Sequence, residues 1–590
     1  MGGVQTPGGR GDHVAGSMLG AAVGDALGWP QARRSRNIRG NRRRQESRVL
    51  GFQSWTRRRR EGSARYQEPV SAGGYSDHTQ LLLAVGRACL RDGDWYPWLT
   101  EVELPQWTLY QREGGGAVLR AARSWQAGKP PWSLAKTKKK KTHATGYFSA
   151  GGNSAATRIV PHVLKTRGVA DIPNLAGRVV RDSIATHGHP RAILGALIHA
   201  IALCYAHHDP ATLEHGELID AIADETSWRP IDVLFENVDD TWIFNHQRTA
   251  DQYSHEWTDI ATSWRETVEE IDASLQTIKA HLDNGSTEND HSVLNVLGAF
   301  DNTISGAGTV SALASLYLAT KYASSPASGL VQAAYLTGAD TDALASMAGS
   351  LWGTVHGTYW LASLDEYVQD SQYISWLGAE LLSTDATVQP RKDMPVDRKA
   401  LQGWSEELFQ SANTDVLPDG RTINLERHSL LSASRKKQVS RIVATTEDGQ
   451  TLTIDLEADA AAASRGQPLS RASDTREVQT VTPSNLTLVE IKVADLSATR
   501  SFYEKVLQLP GEYSESHIRL AGNLMITQAS ATKPPPTENG PILHVYGDPD
   551  AVFERAQESD DIATRLSDDR RLLWVKNDDG HRVRIETPRT

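Results

Sequence analysis

Two short acidic segments far apart in the chain constrain the fold more than any other feature: Tyr75-Ser76-Asp77-His78-Thr79-Gln80 and Gly338-Ala339-Asp340-Thr341-Asp342-Ala343. Each crowds hard oxygen donors into the few residues before an apolar, Ala-rich helical pattern. Carboxylates and hydroxyls are the ligands that small hard cations prefer, so the pair suits a magnesium-type site assembled from two distant segments. Asp340 and Asp342 are two residues apart, and only a turn ahead of the helix, not the helix itself, can aim both carboxylates inward. The competing reading is that Asp77 and Asp342 only cap helices, since Ser and Asp are favoured at helix starts.

From Val14 to about Leu382, Ala- and Leu-rich segments recur at helical spacing between Gly, Pro and polar clusters, as at Gln80 to Leu90, Ala192 to Tyr205, Val310 to Tyr322 and Ala343 to Val355. Gly and Ala at many inner positions let helices approach closely, which predicts a compact all-α helical bundle over 12–382. Trp228 to Asn289 is more polar and Trp-rich, and reads as an insertion of long helices. Beyond Ser383 the composition changes. After one helix around Leu401 to Phe409, the segments Thr422 to Leu425, Gln438 to Thr446 and Gln450 to Leu456 read as strands, with Glu447-Asp448-Gly449 as a hairpin turn. A small β-rich connector over 383–458 is expected, then a flexible linker over 459–484, rich in Ala, Ser, Thr and charge.

At 590 residues the chain is too long for one core and predicts two to four domains. Only Cys89 and Cys204 are present, too few to staple a chain of this size, which points to a reducing compartment. No apolar run stands out as a bilayer span and the first residues lack a signal-peptide core, so a soluble, cytoplasmic protein without membrane contact is expected. The net charge of −10 argues against a general polyanion binder, yet Arg33 to Arg60 holds twelve arginines with one acid, Glu46, and Lys136 to Lys141 holds five lysines. These runs are either solvated loops or a phosphate-attracting rim for a nucleotide or a nucleic-acid-linked substrate.

Three further segments stand around the acidic pair: Gly16-Ser17-Met18-Leu19-Gly20-Ala21-Ala22-Val23-Gly24-Asp25-Ala26-Leu27-Gly28, Gly152-Asn153-Ser154-Ala155-Ala156-Thr157-Arg158, and Thr186-His187-Gly188-His189-Pro190. A glycine-rich turn, Ser305-Gly306-Ala307-Gly308, precedes the second acidic motif. In this order they resemble the ADP-ribosylglycohydrolase family, which includes the dinitrogenase reductase-activating glycohydrolases. The resemblance implies that Ser76, Asp77, Asp340 and Asp342 hold Mg2+ or Mn2+ against the ribose hydroxyls of an ADP-ribosyl group. Asp77, Asp340 and Asp342 then act at the anomeric carbon. It places His187 beside the ligand, while a His just before His189-Pro190 can equally close a turn. Asn153 with the Gly151-Gly152 backbone, Ser154, Gly306 and Gly308 are candidates for the diphosphate or distal ribose, since glycines permit close main-chain approach. Arg158 reads as a structural ion-pair partner.

Three positions depart from the family pattern. His78 stands where a second Asp is common, Ala343 where Thr or Ser is, and Ala32 where many members carry a Glu. Imidazole can still ligate manganese, iron or zinc, so His78 joins the candidate ligands, but one ion is expected rather than two.

The last hundred residues begin a new pattern. Leu486 to Val493 alternates as a strand, Asp495 to Leu507 is an amphipathic helix pattern, and Ile542 to Tyr546, Pro549 to Gln557, Leu572 to Lys576 and Arg582 to Glu586 repeat strand, helix and strands. Over 485–590 this resembles the vicinal oxygen chelate, or glyoxalase-like, superfamily of paired βαβββ modules, an α+β fold, through Val493-Ala494-Asp495-Leu496, Phe502-Tyr503 and Asp578-Asp579-Gly580-His581. The expected metal-ligand positions hold Leu488, Pro541 and Arg584, so the resemblance implies a binding or homodimerisation module without metal; Glu490 and His544 lie nearby. For the whole chain two functions stay open: a metal-dependent hydrolase releasing ADP-ribose from a protein, nucleic acid or small molecule, or an ADP-ribose or nucleotide sensor. A pocket retuned by His78 and Ala343 for another N- or O-glycoside is a variant of the first.

Overall fold

Gly16, Gly20, Gly24 and Gly28 recur every fourth residue along the helix Arg10–Asn37 and so form one bare ridge. That ridge lies against the helix Thr341–His356, backbone to backbone: a Cβ at Gly24 would overlap the Ala345 carbonyl, and one at Gly28 the Thr341 carbonyl. The facing helix answers with Gly349 and Gly353, whose added Cβ atoms would strike the Gly20 and Gly16 carbonyls. Thr341 Oγ1 closes the contact by donating to the Gly28 carbonyl at 2.8 Å. The start of the second acidic motif is thereby fixed to the first helix of the chain.

The computed structural model describes residues 10–37, 48, 50–61, 64–91, 93, 95–136, 142–208, 216–252, 259–283, 290–383, 395–410, 416–432, 437–459, and the strands beyond 488. The chain divides into two compact units, Met1–Ser470 and Arg471–Thr590. The first is mostly helical. Its most apolar helix, Pro190–His208, is long and apolar enough to cross a bilayer by length and composition, which corrects the expectation that no such run exists. The helix is largely buried within the bundle, against Ile172–Ile184 and Gly308–Lys321, so its apolar character on all sides reflects a central core position. The polar, Trp-rich stretch forms Asp240–Gln252 and the 24-residue helix Ile260–Asp283, and Trp228, Trp242 and Trp264 are buried anchors. Their indole N–H groups donate to the Ile222 carbonyl, the Tyr147 hydroxyl and the Arg229 carbonyl respectively, so each buried donor is satisfied.

Part of the arginine run is a strand. β1 (Trp55–Glu61) pairs antiparallel with β2 (Ala64–Val70), and alternation turns Arg57 and Arg59 to the buried face while Arg58 stays exposed. There they meet carboxylates: Arg57 bonds Glu68 at 2.5 Å and Glu113 at 3.3 Å, and Arg59 meets Asp455 at 3.3 Å. Asp455 lies on the last strand of a three-stranded antiparallel sheet, β3 (Ile423–Ser432), β4 (Lys437–Thr446) and β5 (Thr451–Asp459), in the order β3-β4-β5. Arg441 bonds both oxygens of Asp455 at 2.8 Å and reaches Glu68 at 3.0 Å, completing a buried ion network between hairpin and sheet. The turn at Glu447-Asp448-Gly449 joins β4 and β5, with Gly449 at φ 96, a conformation that favours glycine. Residues 38–47 of the arginine run, the lysines from 138 to 141 and the linker beyond 459 lie outside the described residues.

In the second unit, β6 (Val489–Val493), β7 (Gly511–Tyr513), β8 (His517–Leu520) and β9 (Leu524–Gln528) form a sheet of order β6-β9-β8-β7. β10 (Ile542–Tyr546), β11 (Ile562–Leu566), β12 (Leu572–Asn577) and β13 (Arg582–Glu586) repeat that order as β10-β13-β12-β11. In each sheet the first strand pairs parallel with the fourth, and the remaining pairs are antiparallel. A parallel pair requires a crossover, and the segments expected to supply it, Asp495 to Leu507 and Pro549 to Gln557, lie outside the described residues.

Candidate functional site

A carboxylate deep in the first helix holds the first acidic motif. Asp25, fully buried, accepts three hydrogen bonds at Oδ2: from the Ser76 N–H at 3.1 Å, the Thr79 N–H at 3.0 Å and the Thr79 hydroxyl at 2.6 Å. These bind the opening turn of the helix Asp77–Cys89 to the helix Arg10–Asn37. Ser76 is the N-cap, its hydroxyl accepting from the His78 N–H at 3.3 Å, and Asp77 is the first helical residue. On the other motif Asp340 occupies the N-cap position of Thr341–His356 without making a capping bond, and Asp342 follows in the first turn, its Oδ1 accepting from the Ala343 N–H at 3.1 Å. Capping therefore falls to Ser76 on one helix and to neither candidate ligand, Asp77 or Asp342, as an N-cap residue. Two helix N-termini, each electropositive, carry the acidic groups.

The glycine segments form a second wall. The Asn153 N–H donates to the Gly306 carbonyl at 3.0 Å and the Gly308 N–H to the Gly151 carbonyl at 2.9 Å, with Gly152 and Ala307 paired between them. The Asn153 amide donates to Asp340 Oδ2 and to Ser311 Oγ, both at 2.9 Å, fixing the orientation of the Asp340 carboxylate. A Cβ at Gly306 would lie 3.4 Å from Asp340 Oδ2, and one at Gly152 the same distance from His187 Nε2, so both glycines leave main chain open beside polar groups. Ser154 sits in the next turn, close to Gly115. His187 pairs through Nδ1 with the Thr186 hydroxyl at 2.8 Å. Burial, with the Arg158 charge beside it, pulls its pKa down to about 3, so the ring is a neutral hydrogen-bonding group. Arg158 itself is fully buried, bonded to Asp182 at 2.7 Å and to Thr186 at 2.9 Å, as a structural ion pair. Beside Thr186 opens a cavity of about 350 Å3 bordered by Arg120, Thr142, Thr145, Tyr147 and Ser149.

His78 sits in the field of the acidic groups. Burial opposes its charge, but Asp77, Asp342, Asp25 and Asp340 outweigh that and raise its pKa to about 9. Its Nδ1 lies 3.0 Å from Thr157 Oγ1. Burial raises the Asp77 carboxyl above its ordinary value, with Asp25 and Asp340 adding to the rise against His78. Ala343 and Ala32 are buried, and their side chains offer no ligand atom. The oxygen donors Ser76, Asp77, Asp340 and Asp342 have the chemistry of a hard divalent cation's ligands, and in that sense they fit one. Among the described residues, however, no three His, Cys, Asp or Glu side chains are gathered tightly enough to hold an ion, so the donors are neighbours rather than a preassembled cage.

Asp25, Ser311, Thr157 and Asp182 were not singled out by the sequence. Asp25 had a visible signal: an acid within an otherwise apolar, glycine-ridged helix must find donors or remain unsatisfied. The other three become partners only through tertiary contact.

A family model described as ADP-ribosylglycohydrolase matches residues 6–389. A solved structure titled "ADP-ribosylglycohydrolase-related protein complex" is similar at 17% identity, over 64% of this chain and 99% of that one, with a TM-score of 0.38. No protein of curated function matches the chain. The family match takes in the first helix, both acidic motifs and the glycine wall, well over half of the sequence. The chain belongs to the ADP-ribosylglycohydrolase family, hydrolases that act on ADP-ribose linkages.

Proposed function

We propose that this chain hydrolyses the glycosidic bond of an ADP-ribosyl group attached to a protein, a nucleic acid or a small molecule, at a centre made by Asp77, Asp340 and Asp342. The observation that carries this is the Asn153 amide clamped on Asp340, which ties the glycine wall to the second acidic motif. A Mg2+ or Mn2+ ion, held by Ser76, Asp77, Asp340 and Asp342, would supply positive charge to fix the ribose hydroxyls. The carboxylates stabilise the cationic character that grows at the anomeric carbon as the bond breaks. In this reading Asp340, oriented by the Asn153 amide, takes the proton of the attacking water. The paired main chain of Gly151 to Asn153 and Gly306 to Gly308 gives a close-approach surface for the diphosphate, with His187 as a neutral partner. Arg120, whose exposed guanidinium borders the neighbouring cavity, suits an anionic part of the substrate.

Turnover should be lost in Asp77→Ala and in Asp340→Ala with the far-ultraviolet spectrum unchanged; full activity in both variants rules this centre out. The sensor reading is favoured by His78, which stands where the family pattern has a second carboxylate. Tight ADP-ribose binding without release under any divalent metal would select it.

The repeated strand order of the second unit, with its parallel first pairs, supports paired βαβββ modules of the glyoxalase-like kind, serving target recruitment or homodimerisation. Deleting 485–590 should then change target choice or mass and leave small-substrate hydrolysis intact. The two buried, unbridged cysteines support a cytoplasmic setting. Nucleic-acid contact through the basic runs would fall to arginines other than the inward-facing Arg57 and Arg59.

A further inference from the structure

Four buried side chains, Asp182, Arg158, Thr186 and His187, run in one hydrogen-bonded line to the glycine wall. Asp182 is the fixed end: its Oδ1 accepts from Arg158 Nε at 2.7 Å and its Oδ2 lies 3.0 Å from His162 Nε2, so the carboxylate is held on both sides. Arg158 Nη2 has two hydrogens and both are used, one on the Asp182 carbonyl at 2.8 Å and the other on Thr186 Oγ1 at 2.9 Å.

A guanidinium only donates, so Thr186 Oγ1 is the acceptor in that contact and its own proton must go elsewhere. The other partner of this oxygen is His187 Nδ1, at 2.8 Å. If Nδ1 carried the ring hydrogen, the hydroxyl would accept twice and its proton would be buried without an acceptor, a costly arrangement. If Nδ1 is bare, the hydroxyl donates to it and the contacts along the line are all satisfied. The ring is neutral, its pKa pulled down to about 3 by burial and the Arg158 charge, so it has one hydrogen, and that hydrogen sits on Nε2.

Nε2 faces the wall, 3.4 Å from the place a Cβ at Gly152 would take. Among the described residues it has no hydrogen-bond partner, although the residue as a whole is buried, and it is not sealed off from open space. An N–H held in one orientation beside bare main chain and left unmet by the protein is shaped for an acceptor oxygen.

We propose that Arg158 and Thr186 are positioning residues that hold His187 as its Nε2–H tautomer, so that the ring gives a neutral hydrogen bond to an oxygen of the ligand's diphosphate at Gly152. The tautomer follows from this chain's own contacts; the identity of the oxygen rests on the ADP-ribosyl reading, which it deepens.

Solid-state 15N spectra of the full chain labelled at histidine test it, with the His187 signals assigned by their loss in His187→Gln. Without ligand, the parent should carry the proton on Nε2 with Nδ1 bare, and saturating ADP-ribose should move the Nε2 signal. By calorimetry, Thr186→Val should weaken ADP-ribose binding by about tenfold, the order of one hydrogen bond, and Thr186→Ser should stay within about threefold of the parent. A proton on Nδ1, an Nε2 signal unmoved at saturation, or Thr186→Val and Thr186→Ser binding alike would each overturn the proposal. A parent that fails to bind ADP-ribose would sink the ADP-ribosyl reading instead, and the tautomer, read without ligand, would still decide whether Thr186 and Arg158 set the ring.

Discussion

Replacing Asp25 tests how the first acidic motif is held. Its Oδ2 accepts from the Ser76 and Thr79 N–H groups and the Thr79 hydroxyl, and the residue is fully buried, so Asp25→Ala leaves two buried main-chain donors without partners. A hydrogen bond to a carboxylate is worth about 1.5–3 kcal/mol. Loss of the two main-chain bonds should give a local destabilisation of about 3–6 kcal/mol, at the upper end for a single substitution. Asp25→Asn keeps an acceptor oxygen and should lose about 1–2 kcal/mol. Because a chain with two units need not unfold in one step, the assay is hydrogen exchange of peptides spanning 74–82, read by mass spectrometry. At about 1.4 kcal/mol per tenfold, Asp25→Ala should speed exchange there by at least about a hundredfold, with 489–586 unchanged. Exchange within threefold of the parent would refute the claim that Asp25 anchors the motif.

Gly24→Ala should part the two glycine-ridged helices, since its Cβ would overlap the Ala345 carbonyl, while Gly11→Ala, with nothing within 4 Å, should be neutral. Overpacking of this kind costs about 1–3 kcal/mol, and calorimetry should show weakened ADP-ribose binding in Gly24→Ala alone. A pH prediction rests on His199, whose pKa burial pulls down to about 3. Below an unfolded value of about 6.5 the unfolded chain binds a proton that the native one refuses, so His199 subtracts stability as pH falls from about 6.5 toward 3. Between pH 7.5 and 5.5 that loss is about 1.4 kcal/mol. The urea midpoint of His199→Gln should fall less over this interval than that of the parent; parallel curves would contradict it.

The helical body and the two acidic motifs were legible because their signals are local: periodicity of 3.6, helix-start residues, and Gly-rich turns just ahead of Ala-rich stretches. The β4–β5 hairpin was legible for the same reason, through alternation and a Glu-Asp-Gly turn. Arg57 and Arg59 were hidden, because a run of arginines reads as solvated charge until Glu68 and Asp455 are seen beneath it. The helix Pro190–His208 shows the converse: its composition is the same whether lipid or a protein core surrounds it, and only packing decides. Asn153 could be suspected of touching a ligand, but its grip on Asp340 joins residues 187 positions apart and no spacing rule foretells it. Strands β7, β8, β9 and β11 escaped notice because they are short and weakly alternating.

The most direct test of the central claim is release of ADP-ribose from conjugates linked through arginine, serine and a DNA base, with magnesium or manganese, by the parent chain and by Asp340→Asn. The account predicts release from at least one conjugate, abolished by chelator and absent in the variant; no release from any of them by a parent chain that binds ADP-ribose tightly would contradict it.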